Sequence, residues 1–106
     1  MKSCIFCQII GGKIPGKFVY QDDIFVVIND IHPQAPVHML VIPKKHVDDF
    51  VDADAILLKN MIQLIKKMIN DHKVTRYRLI NNGGGAAYID HVHVHILGSV
   101  AKDRNL

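Results

Sequence analysis

The stretch HVHVHILG, residues 91–98, sets three histidines on alternate positions with aliphatic residues between them. Side chains of an extended strand alternate between its two faces. This spacing therefore sends His91, His93 and His95 one way and Val92, Val94 and Ile96 the other. On a helix the same residues would scatter around the circumference, and the β-branched valines favour the extended form. The reading is a strand with one apolar face for a core and one face of imidazoles, successive rings standing about 6.5–7 Å apart. That span suits a phosphate with its leaving group.

Working outward, RYRLINN (76–82) reads as a further strand, joined to the histidine strand through the flexible loop GGGAA (83–87). From Ala53 to about Asp71 the period changes to 3.6. Leu58, Met61, Ile62, Ile65, Met68 and Ile69 form one stripe, while Lys59, Asn60, Gln63, Lys66 and Lys67 face water, with Asp52 or Asp54 as the cap. VHMLVIP (37–43) is a strand behind a rigid loop, DIHPQAP, in which Pro33 and Pro36 remove backbone donors. KFVYQ (17–21) and IFVVIN (24–29) make a hairpin across Asp22 and Asp23, and residues 5–10 make a short helix ended by Gly11 and Gly12. Five strands with one principal helix after the third indicate an α+β fold. The expected sheet is five-stranded and mostly antiparallel, covered on one face by that helix, with a short N-terminal helix besides.

A chain of 106 residues with 49% hydrophobic content fits a single domain spanning residues 1–106. No apolar run approaches the roughly 20 residues of a membrane span, and MKSCIFCQII carries no long apolar segment followed by a cleavage site. The expectation is a cytoplasmic protein with no membrane partner. A net charge of +3, dispersed lysines and no tryptophan suit a small anionic ligand better than a nucleic acid polymer.

Packing alone gives no reason to align three titratable rings, and burying them would be costly. Two chemistries fit. The rings could hold a catalytic metal in the manner of His-x-His zinc enzymes, or one could be a nucleophile whose neighbours stabilise charge. Gly83, Gly84 and Gly85 beside basic side chains could cradle phosphate, though three glycines are more often only a turn. The cysteines, Cys4 and Cys7, exclude a disulfide framework. With three residues ahead of Cys4 a thioredoxin-like site lacks its strand and loop, whereas two thiolates at this spacing supply half of a tetrahedral zinc site. Seven histidines can supply the rest. Spacing does not choose among these.

Taken together, CIFCQIIGGKIP, DIHPQAPVHMLVIPKKHV, YRLINN and HVHVHILG resemble the histidine triad family, in its nucleotide-binding branch, over nearly the whole chain and in the expected order. The resemblance implies an α+β fold paired as a homodimer. It implies a purine nucleotide hydrolase or nucleotidyl transferase acting on nucleoside phosphoramidates or related bonds to the α-phosphate. His93 would attack the α-phosphorus to give a covalent nucleotidyl-imidazole that water cleaves. Neutral imidazole is a good nucleophile near pH 7, and phosphorylated imidazole a good leaving group. His95 and His38 would flank the phosphate, and backbone near His95 would fix the His93 tautomer. Asp30 matches the residue that accepts from the ribose hydroxyls. Ile5, Phe6, Ile9, Ile28, Asn29 and Ile31 match the base-pocket wall, and Asn81 a polar contact near ribose or phosphate. The cysteine pair resembles zinc ligands completed by His46 and His91, a closed structural site that would leave only His93 and His95 of the triad for the phosphate. His32 and His72 match nothing and are expected at the surface.

The resemblance breaks at Ala86-Ala87-Tyr88-Ile89, where most relatives carry Gly-Gln-Ser/Thr-Val. The glutamine amide and small hydroxyl that reach phosphate or leaving-group oxygens are missing. Backbone N–H groups near Tyr88 remain as donors, and the Tyr88 hydroxyl could enter or block the site. The expectation is retained nucleotide binding with weaker or altered turnover, the alternative being a nucleotide-binding module or sensor whose catalysis has decayed.

Overall fold

The computed structural model describes residues 4–102. Asp22 makes the expected hairpin: its carboxylate accepts from the Ile24 and Phe25 N–H groups at 2.8 and 2.7 Å, turning β1 (Phe18–Gln21) back onto β2 (Phe25–Asn29). β2 pairs with β3 (Val37–Pro43), β3 with β5 (Val94–Gly98), and β5 with β4 (Arg78–Ile80), every pair antiparallel, in the order β1-β2-β3-β5-β4. The α+β expectation holds. β3 is central and buried along six of its seven residues, which is why it reads as an unbroken apolar run rather than an alternation.

Two helices cover the two faces. α2 (Ala55–Asp71) is capped by Asp54, whose side chain accepts from the Leu57 N–H, and packs Met61, Leu64, Ile65 and Met68 against Val27, Met39, Val41 and Ile96. α1 (Ile5–Ile10) lies over the opposite face with Val26, Leu40 and Ile42. Alternation along β3 and β5 thus divides the chemistry. Met39, Val41, Val94 and Ile96 belong to the α2 side, whereas His38 and His95, in step with Leu40, belong to the α1 side. Among the described residues no helix is long and apolar enough to cross a membrane.

Three expectations shift. The helix stripe is rotated: Leu64 is buried and Ile62 is 58% exposed, because the core-facing line runs through residues 57, 61, 64, 65 and 68. β5 begins at Val94, three residues late. Pro43, at the end of β3, has no N–H, and its carbonyl is taken by the His91 ring, so the ladder stops at the Val41–Val94 pair. His91 and Val92 instead donate their backbone N–H groups to the carbonyls of Ile89 and Val47. β4 spans only three residues. Arg76 before it has φ +46°, and the Asn81 side chain after it turns to the His93 carbonyl.

Candidate active site and metal centre

The α1 face opens into a cavity of about 560 Å³. α1 supplies one wall through Ile5, Phe6 and Ile9, and the end of β2 with its following loop supplies Ile28 to His32. His38 on β3 and His93 and His95 form the inner wall, while Ala86 to Ile89 and Asn82 border the remaining side. Ile31 and Tyr88 stand almost wholly in solvent at its rim, at 86% and 107% exposure. An apolar slot ending in a row of imidazoles suits a flat apolar group attached to an anion.

The hydrogen bonds fix which nitrogen of each ring carries the proton. His38 Nδ1 accepts from the Gln34 N–H at 3.0 Å, so its proton sits on Nε2 and is donated to His95 Nδ1 at 2.8 Å. His95 is left with an N–H on Nε2. His93 Nδ1 lies 2.8 Å from the His91 carbonyl, which can only accept, so Nδ1 donates and the Nε2 lone pair is free. The family resemblance puts this tautomer clamp near His95; the carbonyl two residues before His93 provides it. The result is one ring with a bare lone pair beside one with an available N–H, their centroids 5.0 Å apart.

Burial pushes His38 and His95 below the ordinary imidazole value of 6.5. For His95 the neighbouring His93 and His38 add to the shift, and the Asp30 carboxylate, 3.5 Å from His38 Nε2, opposes it at both rings. Both rings are therefore neutral at pH 7. Protons bind the unfolded chain more readily than these folded sites. Stability from His38 and His95 is thus complete above about pH 6.5 and falls as pH drops below it. Thermal melts across pH 4.5–8 are expected to give a flat Tm above that point and a declining one below. A Tm that keeps rising on acidification contradicts the neutral pair.

Behind α1 a second cluster forms. Ligand atoms of Cys4, Cys7, His46 and His91 lie within 4.8 Å of one another and are placed to hold a metal ion. Their protons fit the task. His91 Nε2 donates to the Pro43 carbonyl at 2.7 Å and His46 Nε2 to the Asp48 carboxylate at 2.6 Å, which turns both Nδ1 lone pairs toward the sulfurs. Outer partners of this kind fix the tautomer and orientation of metal-binding histidines. Asp30, His38 and His95 also lie within metal-ligating range of one another. There, however, His38 presents an N–H rather than a lone pair, and shifting that proton to Nδ1 would set it against the Gln34 N–H. Within this trio only His38 and His95 are hydrogen-bonded, and the catalytic-metal reading of the triad loses His91, whose Nδ1 turns to the sulfurs instead.

The structure brings His38, His93, His95, Asp30, Ile5, Phe6, Ile9, Ile28, Asn29, Ile31 and Tyr88 to one cavity. Asn81 is not on its wall; the amide donates to the His93 carbonyl at 3.0 Å, and Asn82 borders the cavity instead. Asp49 escaped the sequence reading. Its carboxylate accepts from the Gly84 N–H at 3.0 Å and anchors the loop in which Gly84 and Gly85 take φ +64° and +92°. Nothing in its run of acidic residues marked it. His32 and His72 are exposed.

A family model described as "Scavenger mRNA decapping enzyme C-term binding" matches residues 3–105. An uncharacterized HIT-like protein of Methanocaldococcus jannaschii is 40% identical over 99 residues, covering 89% of this chain and 77% of the relative. Among solved structures, a HIT family hydrolase from Legionella pneumophila superposes with TM-score 0.86 at 37% identity, covering 93% of this chain and 95% of that one. A zinc-bound histidine triad protein from Mycobacterium smegmatis superposes with TM-score 0.85 at 28% identity, covering 97% and 79%. With its three alternating histidines, its antiparallel sheet and these matches along its length, the chain belongs to the histidine triad family of hydrolase-like proteins.

Proposed function

We propose that the chain binds purine nucleotides and hydrolyses or transfers their nucleotidyl group, at a nucleoside phosphoramidate or a related α-phosphate bond, through a covalent nucleotidyl-His93 intermediate. The observation that carries this reading is the free Nε2 lone pair of His93 at the inner wall of an apolar cavity. The base would lie between Ile5, Phe6 and Ile9 on one side and Ile28 and Ile31 on the other, with Asp30 accepting from the ribose. The His93 lone pair attacks phosphorus as the bond to the leaving amine breaks. The leaving nitrogen takes its proton from solvent and departs as the amine, while His95 Nε2–H donates a hydrogen bond to the phosphoryl group and His38 Nε2–H, donated to His95 Nδ1, holds that tautomer. Water then cleaves the phosphorus–imidazole bond and frees His93. Incubation with adenosine 5′-phosphoramidate should release AMP and show a nucleotidyl adduct by intact mass.

A second reading, a nucleotide-binding module with decayed catalysis, is favoured by the segment 86–89. It offers no side-chain donor except the Tyr88 hydroxyl. The N–H groups of Ala87, Tyr88 and Ile89 have no partner among the described residues and remain available to phosphate oxygens. AMP binding without release of AMP from the phosphoramidate would select it.

The ion proposed for the cysteine and histidine set is zinc. Two thiolates and two imidazoles complete a tetrahedron with no open position, so its part is structural. As partner we propose a second copy of the chain, joined at the β4 edge. Leu79 pairs with Ile96, which puts it on the α2 side, and it is 47% exposed. Lys67 is within electrostatic reach of Tyr20 at the β1 edge. Ile62 lies roughly 140° around the helix from it, toward β4. A free strand edge flanked by exposed Leu79 and Ile62 invites pairing. Leu79→Glu with Ile62→Glu is expected to convert a dimer into a monomer by light scattering. An unchanged mass would place the partner elsewhere.

A further inference from the structure

The six residues of α1 serve two sites at once. Cys4, its cap, and Cys7 belong to the metal set, while Ile5, Phe6 and Ile9 from the same stretch line the cavity. A helix this short is not stable by itself in water. What holds it is the metal set on one side and the packing of Phe6, 5% exposed, on the other. The Phe6 ring stands edge-on to His91 at 5.8 Å between centroids and to His93 at 5.0 Å. One aromatic ring therefore touches a metal-set imidazole and the ring with the free lone pair, and the carbonyl of the first residue clamps the second.

Resting on the nucleotide reading above, we propose that metal occupancy and nucleotide binding are thermodynamically linked through α1, with Phe6 as the positioning residue that couples them. With the metal bound, α1 presents Ile5, Phe6 and Ile9 already in place. Without it, a nucleotide must order that wall itself, and the ordering subtracts from its affinity. Linkage is reciprocal, so the nucleotide must tighten the metal by the same factor that the metal tightens the nucleotide.

Two measurements test this. Titration calorimetry gives the AMP dissociation constant for the zinc-loaded and chelator-treated protein. Competition with a chromophoric chelator gives zinc affinity with and without saturating AMP. The second arm starts from folded, loaded protein, so it reads the linkage even where the metal-free chain unfolds. About tenfold or more is expected in each direction, a common size for coupling between sites. Phe6→Leu, which keeps an apolar wall but removes the ring edges, is expected to bring the factor toward one at unchanged zinc stoichiometry. Equal AMP affinities, or a zinc affinity indifferent to AMP, would overturn the linkage and leave the nucleotide reading standing. No AMP binding to loaded protein would overturn both. A full coupling factor in Phe6→Leu would overturn the role given to Phe6.

Discussion

His93→Ala is expected to abolish the nucleotidyl adduct and to lower turnover of adenosine 5′-phosphoramidate by about 10⁴-fold or more, the scale seen when a covalent nucleophile is removed. AMP affinity should fall by less than about tenfold, because the apolar slot and Asp30 do not depend on this ring. The specific expectation comes from the tautomers. Of the three rings on the cavity wall, His93 alone has its Nδ1 proton committed to a carbonyl, that of His91, so among them it alone offers a bare Nε2 to phosphorus. His95 and His38 hold their protons on Nε2 and donate them as hydrogen bonds in one direction, His38 to His95 and His95 toward the phosphate. His95→Ala should therefore keep adduct formation measurable while slowing it by roughly 10²–10³, the usual worth of one hydrogen-bond donor aimed at developing charge. An adduct that persists in His93→Ala, or turnover within tenfold of the native protein, would remove the nucleophile from this position.

The order of elements was legible because each rests on a local signal: Asp22 at the hairpin, Asp54 at the start of α2, and the unbroken apolar run of β3. The period-two histidines located the site face for the same reason. What could not be read were features decided by contacts distant in sequence. The true core line of α2 depends on which of two apolar stripes the sheet leaves uncovered, and Ile62 became surface while Leu64 became core. The late start of β5 depends on Pro43 giving its carbonyl to a ring 48 residues away. Asn81 looked like a ligand contact because it is polar and near the triad, yet its amide is spent on the His93 backbone. The sequence separated His91 from its two triad partners only through a family resemblance. The geometry does so independently, through the direction of the Nδ1 lone pair.

Loss of the metal set is the second large effect expected. Cys7→Ser should abolish stoichiometric zinc binding and lower stability by about 3 kcal/mol or more. For a domain of this size that corresponds to roughly 12–24 °C in Tm. Structural zinc contributes more than this in peptides that have no other core. Here the sheet and α2 possess a core of their own on the face away from the metal set. The loss should therefore be concentrated in α1 and its contacts, seen as fast amide exchange in residues 5–10 with β3 still protected. The chemistry of the site makes the native protein depend on the cation. Burial, then the hydrogen bond and charge of Cys4, push the Cys7 thiol above its ordinary value, so without a cation the sulfur stays protonated. A bound cation reverses that preference, and falling pH returns protons in competition with the metal. Asp48→Asn tests the outer partner. It keeps an oxygen beside His46 Nε2 but removes the charge, and should weaken zinc by about 10–100-fold with all four ligands present. Zinc content and Tm both unchanged in Cys7→Ser would show that these four residues do not form a metal site at all.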